Sequence, residues 1–147
     1  MNKNNPRQAW MSLLAKAPAH TLEDKMSAVG AKPDFKWLRH PEVGGVMVQG
    51  RASSTGGRFN IGEMTVTRCA LQLDTGEVGH AVVHGRSKSK AQHAALVDAL
   101  MQTSRADSLK AQVLDPLKTE MAASRDARAA KAAATKVDFF TMVRGED

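Results

Sequence analysis

Only one cysteine, Cys69, occurs in the 147 residues, so no disulfide can form within the chain and nothing points to an oxidising compartment. Tyrosine is absent, and four Phe with two Trp make up the whole aromatic content. A core must therefore rest on Leu, Val, Ala and the eight Met, whose flexible thioethers fill irregular gaps. No apolar run approaches the roughly 20 residues of a membrane-spanning helix. The opening stretch Met1–Pro6 is polar and lacks the apolar segment of a secretory signal. Together these absences predict a cytoplasmic protein with no membrane partner.

What remains is an ordinary globular composition, 42% apolar and 24% charged, with a length that suits one domain over residues 1–147. Lys and Arg number 21 against 15 Asp and Glu, for a net charge of +6. That balance favours acidic partners or anionic ligands, phosphate-bearing metabolites and nucleic acid among them. Nucleic-acid modules cluster their basic residues on one face and offer aromatic stacking platforms. Here the basic residues are dispersed and aromatics make up 4% of the chain, so a nucleic-acid-binding module stands only as the alternative.

Hydrophobic periodicity divides the chain into four stretches. Residues 7–30 are helical: Trp10, Leu13, Leu14 and Ala17 form one stripe, Pro18 stops it, and Leu22, Met26 and Val29 form the next. Thr21 reads as the cap of the second helix, with Asp24 in place of the usual Glu, and Gly30 as its stop. Residues 32–42 carry two prolines and read as a connector, with Phe35, Trp37 and Leu38 held in the core. Residues 44–85 read as a sheet. Val46–Val48 form a short strand ending at Gly50, and 61–73 alternate as a long one. Thr65, Thr67, Cys69, Leu71 and Leu73 fall on one face of that strand, with Met64, Val66, Arg68, Ala70 and Gln72 on the other. Asp74–Glu77 supplies a turn, and 78–85 returns as a third strand. Residues 91–134 are helical again, with Asp115 read as an N-cap and Pro116 at the first position of a new helix. Residues 135–147 alternate as an extended tail. The expected fold is α+β, with N- and C-terminal helices flanking an antiparallel sheet of three or four strands.

Several constellations bear on chemistry. The segment Gly50–Arg58 places glycines and two guanidiniums, Arg51 and Arg58, where they form either an anion cradle or a solvated hairpin loop. It is not a P-loop, for it lacks the Gly-Lys-Ser/Thr ending. His80 and His84 share a strand face about 13 Å apart, too far to chelate one ion, so no self-contained metal site is expected. His84 with Arg86 is a further candidate for contact with an anion. Cys69 reads as a small core residue, since a nucleophilic thiol needs a base and some exposure. Arg68 in mid-strand needs a counter-charge: Glu63 or Asp138 within the chain, or another subunit. The tail holds Phe139 and Phe140, which in a strand point to opposite faces, followed by Arg144. It is either an edge strand of its own sheet or a hook onto a partner.

Phe59–Cys69 (FNIGEMTVTRC), Gly79-His80, Gly85-Arg86 and Ala134–Asp147 (ATKVDFFTMVRGED), together with Arg7–Met11 (RQAWM) and Val46–Arg51 (VMVQGR), resemble the PhnG family over nearly the whole chain. Ala52-Ser53-Ser54 departs from the family pattern, which is richer in glycine there, and this weakens a phosphate-cradle reading of the loop. The resemblance implies an accessory or structural subunit of the carbon–phosphorus lyase core complex, partnered by the H, I and J subunits and most directly by the I subunit. With the I and H subunits and the L protein, such proteins support exchange of the adenine of ATP for an alkylphosphonate, giving ribose 1-alkylphosphonate 5-triphosphate. ATP is then a substrate of the complex, and the chain alone holds no cofactor. The resemblance carries over no catalytic residue. It leaves Arg51, Arg58, His84 and Arg86 as anion-binding candidates and Arg68, Phe139, Phe140 and Arg144 as docking candidates.

Overall fold

Asn5 opens the first helix: its side chain accepts a hydrogen bond from the Arg7 N–H at 3.0 Å, while Pro6 supplies a preset φ where no donor is needed. In a computed structural model that describes residues 5–30, 32–53 and 55–136, this is α1, Pro6–Lys16. α2, Ala19–Ala28, starts directly after Pro18, so Thr21 lies within its first turn and is not its cap; no side chain caps this helix. Gly30, at φ +88°, ends it as the sequence suggests.

Three strands follow in the order β1-β2-β3, both pairs antiparallel: β1 Phe35–Arg51, β2 Arg58–Leu73 and β3 Val78–His84. The supposed connector is thus the first half of β1. Its Pro41 sits where the pairing slips, between Arg39↔Ala70 and Glu42↔Arg68, and a bulge is where a residue without an N–H fits a strand. Phe35 and Trp37 pack edge to face at the margin of the core, but Leu38 points out and is 53% exposed. Gly85, at φ +89°, turns the chain from β3 into α3, Lys88–Leu100, which begins three residues earlier than its apolar stripe because Ser87 caps it through the Lys90 N–H.

The helices cover one face of the sheet. Thr67, Cys69, Leu71 and Leu73 of β2 and Ala81 and Val83 of β3 point into this layer and are buried. α3 lies against it, buried along nearly its whole length, with α1 packed on both α3 and β3 and α2 packed on α3. Gly79 allows the closest approach: a Cβ there would stand 1.9 Å from the Ala95 carbonyl oxygen of α3. The last helical run begins with α4, Ala106–Leu109, passes through a π-helical turn at Lys110–Leu114 and continues as α5, Asp115–Ala134. Asp115 is therefore not a cap but a helical residue (φ −68°, ψ −46°). The wide turn ahead of Pro116 absorbs the missing donor that would otherwise break the helix. Leu109, Val113 and Leu117 bind this run to the core, and beyond Ala122 every residue of α5 is exposed. Among the described residues no helix is long and apolar enough to cross a membrane.

Burial in the sheet–helix layer leaves Cys69 3% exposed and pushes its thiol up to about 11. The native chain should resist a disulfide-exchange reagent over hours and take up one equivalent promptly in denaturant. Fast stoichiometric labelling of the folded chain would contradict this placement.

Candidate functional site

β3 is paired to β2 only from Val66 to Gln72. Beyond that, β1 and β2 run on alone as a ribbon, from Gly45↔Thr65 to Arg51↔Arg58 at the tip. Eight residues of strand carry this arm about 26 Å past the end of β3. Apolar side chains occur on both faces among Gln49, Asn60, Glu63 and the two tip arginines. Met47, Phe59 and Ile61 are 59%, 50% and 65% exposed, and Val43, Val46, Met64 and the nearby Val82 of β3 are exposed too. Two glycines keep the ribbon thin. The Glu63 side chain lies across Gly45 and the Ile61 side chain across Gly50, where a Cβ would collide with them. Isolated two-stranded hairpins are marginal in water, and contiguous exposed apolar surface of this kind marks an interaction site.

The anion-binding candidates fall in two places. Arg51 and Arg58 face each other across the last pair of the arm, beside a shallow recess that Gln49 and Gly50 complete. The loop between them is closed by the Gly56 N–H, which donates to the Ala52 carbonyl at 2.9 Å. His84 lies opposite Val66, with Arg86 just past Gly85, and both are exposed. Eight residues of β2 separate the two places, about 26 Å, so the four side chains do not converge on one ligand.

Arg68 stands on the uncovered face of the sheet, opposite Glu42 on one side and Val82 on the other, with its guanidinium over Gly44. Glu42 is paired with Arg39 at 3.0 Å, and no ion pair joins Arg68 to Glu63. Asp138, Phe139, Phe140 and Arg144 lie outside the described residues. His80 and His84 are both exposed on one face of β3, and no cluster of three metal-ligating side chains forms among the described residues.

The strongest polar constellation is one that sequence reasoning missed. Asp98, fully buried in α3, accepts from Arg7 Nε at 3.1 Å and Nη2 at 2.8 Å, from Trp10 Nε1 at 2.9 Å and from the His80 backbone N–H at 2.9 Å. Arg7 Nη2 also donates to the Val78 carbonyl, so one carboxylate ties α1, β3 and α3 together. Hydrogen bonding to Asp98 raises the Arg7 pKa above its already high ordinary value. The signal was a lone acid within the otherwise apolar stretch Ala94–Leu100. Nearby, burial, with the Lys32 ammonium at 3.1 Å from its Nε2, lowers the pKa of His93. A groove of about 500 Å³ runs between α1 and β3, with Arg7, Met11, His80 and Val82 on its walls.

Comparison with known proteins bears on what this scaffold serves. The family model described as phosphonate metabolism protein PhnG matches residues 5–145. A relative from Rhizobium meliloti (strain 1021), alpha-D-ribose 1-methylphosphonate 5-triphosphate synthase subunit PhnG, is 44% identical over 145 residues, covering 96% of this chain and 90% of the relative.

Proposed function

The chain belongs to the PhnG family of phosphonate metabolism proteins, and on that premise we propose that it is an accessory subunit of an alpha-D-ribose 1-methylphosphonate 5-triphosphate synthase. The observation that carries this reading is the 44% identity to a synthase subunit along 96% of the chain. In the proposed assembly the chain joins the H, I and J subunits in the cytoplasm, with its most direct contact to the I subunit. The complex exchanges the adenine of ATP for an alkylphosphonate and releases adenine. The I subunit performs that displacement, and this chain completes and stabilises it. Arg51, Arg58, His84 and Arg86 are the candidates for any contact with a phosphate or phosphonate, and Phe139, Phe140 and Arg144 for a further contact through the tail.

The test is co-expression with the H, I and J subunits, sizing of the purified species, and assay of adenine release from ATP and methylphosphonate with the L protein added. The chain should elute with the other subunits, and omitting it should abolish or sharply reduce adenine release. Elution of the chain by itself would refute the subunit reading. Adenine release by the purified chain alone would refute the accessory one.

A further inference from the structure

β3 stops pairing for a local reason. The Gly85 N–H still donates to the Thr65 carbonyl at 3.0 Å, but the positive φ of Gly85 then directs the chain away into α3. Alternate residues of β2 face β3 with both backbone groups, Thr65 among them, so two residues on Glu63 presents its N–H and C=O to the same side. Among the described residues no strand lies there, and the edge from Met64 to Arg58 is open in direct continuation of β3. Open edges on natural sheets are templates for strand addition unless charge, proline, bulges or covering structure blunt them. Along this edge the charges of Glu63 and Arg58 and a bulge at Ile61 are interspersed with the exposed apolar side chains of Met64, Ile61 and Phe59. Ile61 is skipped by the pairing between Val48↔Gly62 and Gln49↔Asn60, and it is the most exposed large apolar side chain of the arm.

The tip of the arm adds a charge requirement. Arg51 and Arg58 are directly opposed, an arrangement of like charges that costs stability until a carboxylate joins it. The arm's own acid, Glu63, sits opposite Met47 toward its base and is folded back across Gly45. A second copy paired along this same edge would offer Glu63 as its one acid there, against two guanidiniums at each tip.

We infer that another subunit of the synthase adds an extended apolar segment along the Met64–Arg58 edge of β2, in line with β3, and sets a carboxylate against the Arg51–Arg58 pair. This rests on the reading of the chain as a synthase subunit and names the surface through which it assembles. Backbone hydrogen bonds to the edge give affinity, alternate side chains of the incoming strand cover Ile61 and Met64, and the acid at the tip fixes register.

The experiment uses the full chain co-expressed with the H, I and J subunits, one of which carries an affinity tag. Three variants probe the contact: Ile61→Asp, Glu63→Pro and the double change Arg51→Glu with Arg58→Glu. Proline at 63 removes the N–H that faces the open edge, together with the carboxylate that lies across Gly45, and leaves the β1 pairing intact. Each variant should reduce recovery of the chain with the tagged subunit by tenfold or more. Thermal melting of the isolated variants should stay within a few degrees of the parent. Ile61→Asp alters a side chain already in water, so it decides the matter should the proline change disturb folding. Parent-like recovery of all three variants overturns the docking inference while leaving the subunit reading intact. So does an isolated parent chain that sizes as a dimer and is made monomeric by Ile61→Asp, for the occupant is then a second copy. Failure of the parent chain itself to co-purify overturns the subunit reading and the inference together.

Discussion

Changing Gly79 to alanine should cost the chain at least 3 kcal/mol of folding free energy, about the top of the range for overpacking a well-filled core. A single methyl has such leverage because of what it meets. A Cβ at 79 would stand 1.9 Å from the Ala95 carbonyl oxygen and 2.9 Å from both the Ala99 nitrogen and its Cβ. Two of these three atoms are helix backbone, which cannot rotate aside as a side chain can. The helix would have to lift from the sheet along its length, and α3 is the most buried element, with Ala91, Ala94, Ala95 and Ala99 keeping it close. Denaturant unfolding of the isolated chain measures the loss directly. By contrast, Gly57→Ala adds a Cβ that meets nothing within 4 Å and should change stability by less than about 0.5 kcal/mol. A Gly79→Ala chain within about 1 kcal/mol of the parent would mean that α3 does not rest on β3 as closely as described.

The same contact shows what sequence alone could and could not reveal. The alternation over 61–73 and the turn at Asp74–Glu77 identify β2, β3 and the buried face of Cys69, Leu71 and Leu73, although Val66 and Ala70 on the opposite face are buried too. The first half of β1 hid behind Pro33 and Pro41: proline argues against a strand unless a bulge takes it, and a bulge is a property of the pairing, not of the residues. Pro116 misled in the same manner, since the π turn at Lys110–Leu114 that accommodates it leaves no composition signal. Thr21 looked like a cap only because Pro18 and Ala19, the true start of α2, carry no capping side chain. The arm was not legible in the sequence for a deeper reason. Its apolar residues alternate as core residues do, and only the early end of β3 and the absence of a covering helix among the described residues show that Met47, Phe59 and Ile61 meet water. Arg51 and Arg58 could be placed near one another from the hairpin, but their distance from His84 and Arg86 depended on how long β2 proved to be.

The buried carboxylate was the least legible feature, because its partners Arg7 and Trp10 lie 91 and 88 residues away along the chain. It also predicts the second large effect. Asp98→Ala should destabilise the chain by about 3–5 kcal/mol, the range for removing one member of a buried ion pair. The substitution strands three donors at once: the Arg7 guanidinium, the Trp10 indole N–H and the His80 backbone N–H. A charge left without its counter-ion is the costlier part, and Arg7, with 37% of its side chain exposed, can relieve some of it by turning outward. Removing that charge as well should therefore restore part of the loss. Arg7→Met combined with Asp98→Ala should be more stable than Asp98→Ala alone by about 1–2 kcal/mol, a coupling that only residues in direct contact show. Denaturant unfolding of the two single variants and the double variant completes the cycle. If Asp98→Ala costs less than about 1 kcal/mol, the carboxylate does not hold α1 to the sheet. If the two changes are simply additive, Arg7 and Asp98 do not form the working pair. A coupled result makes the Arg7–Met11 segment an anchor, the means by which α1 is fastened across α3 and β3 while the arm is left free to meet a partner.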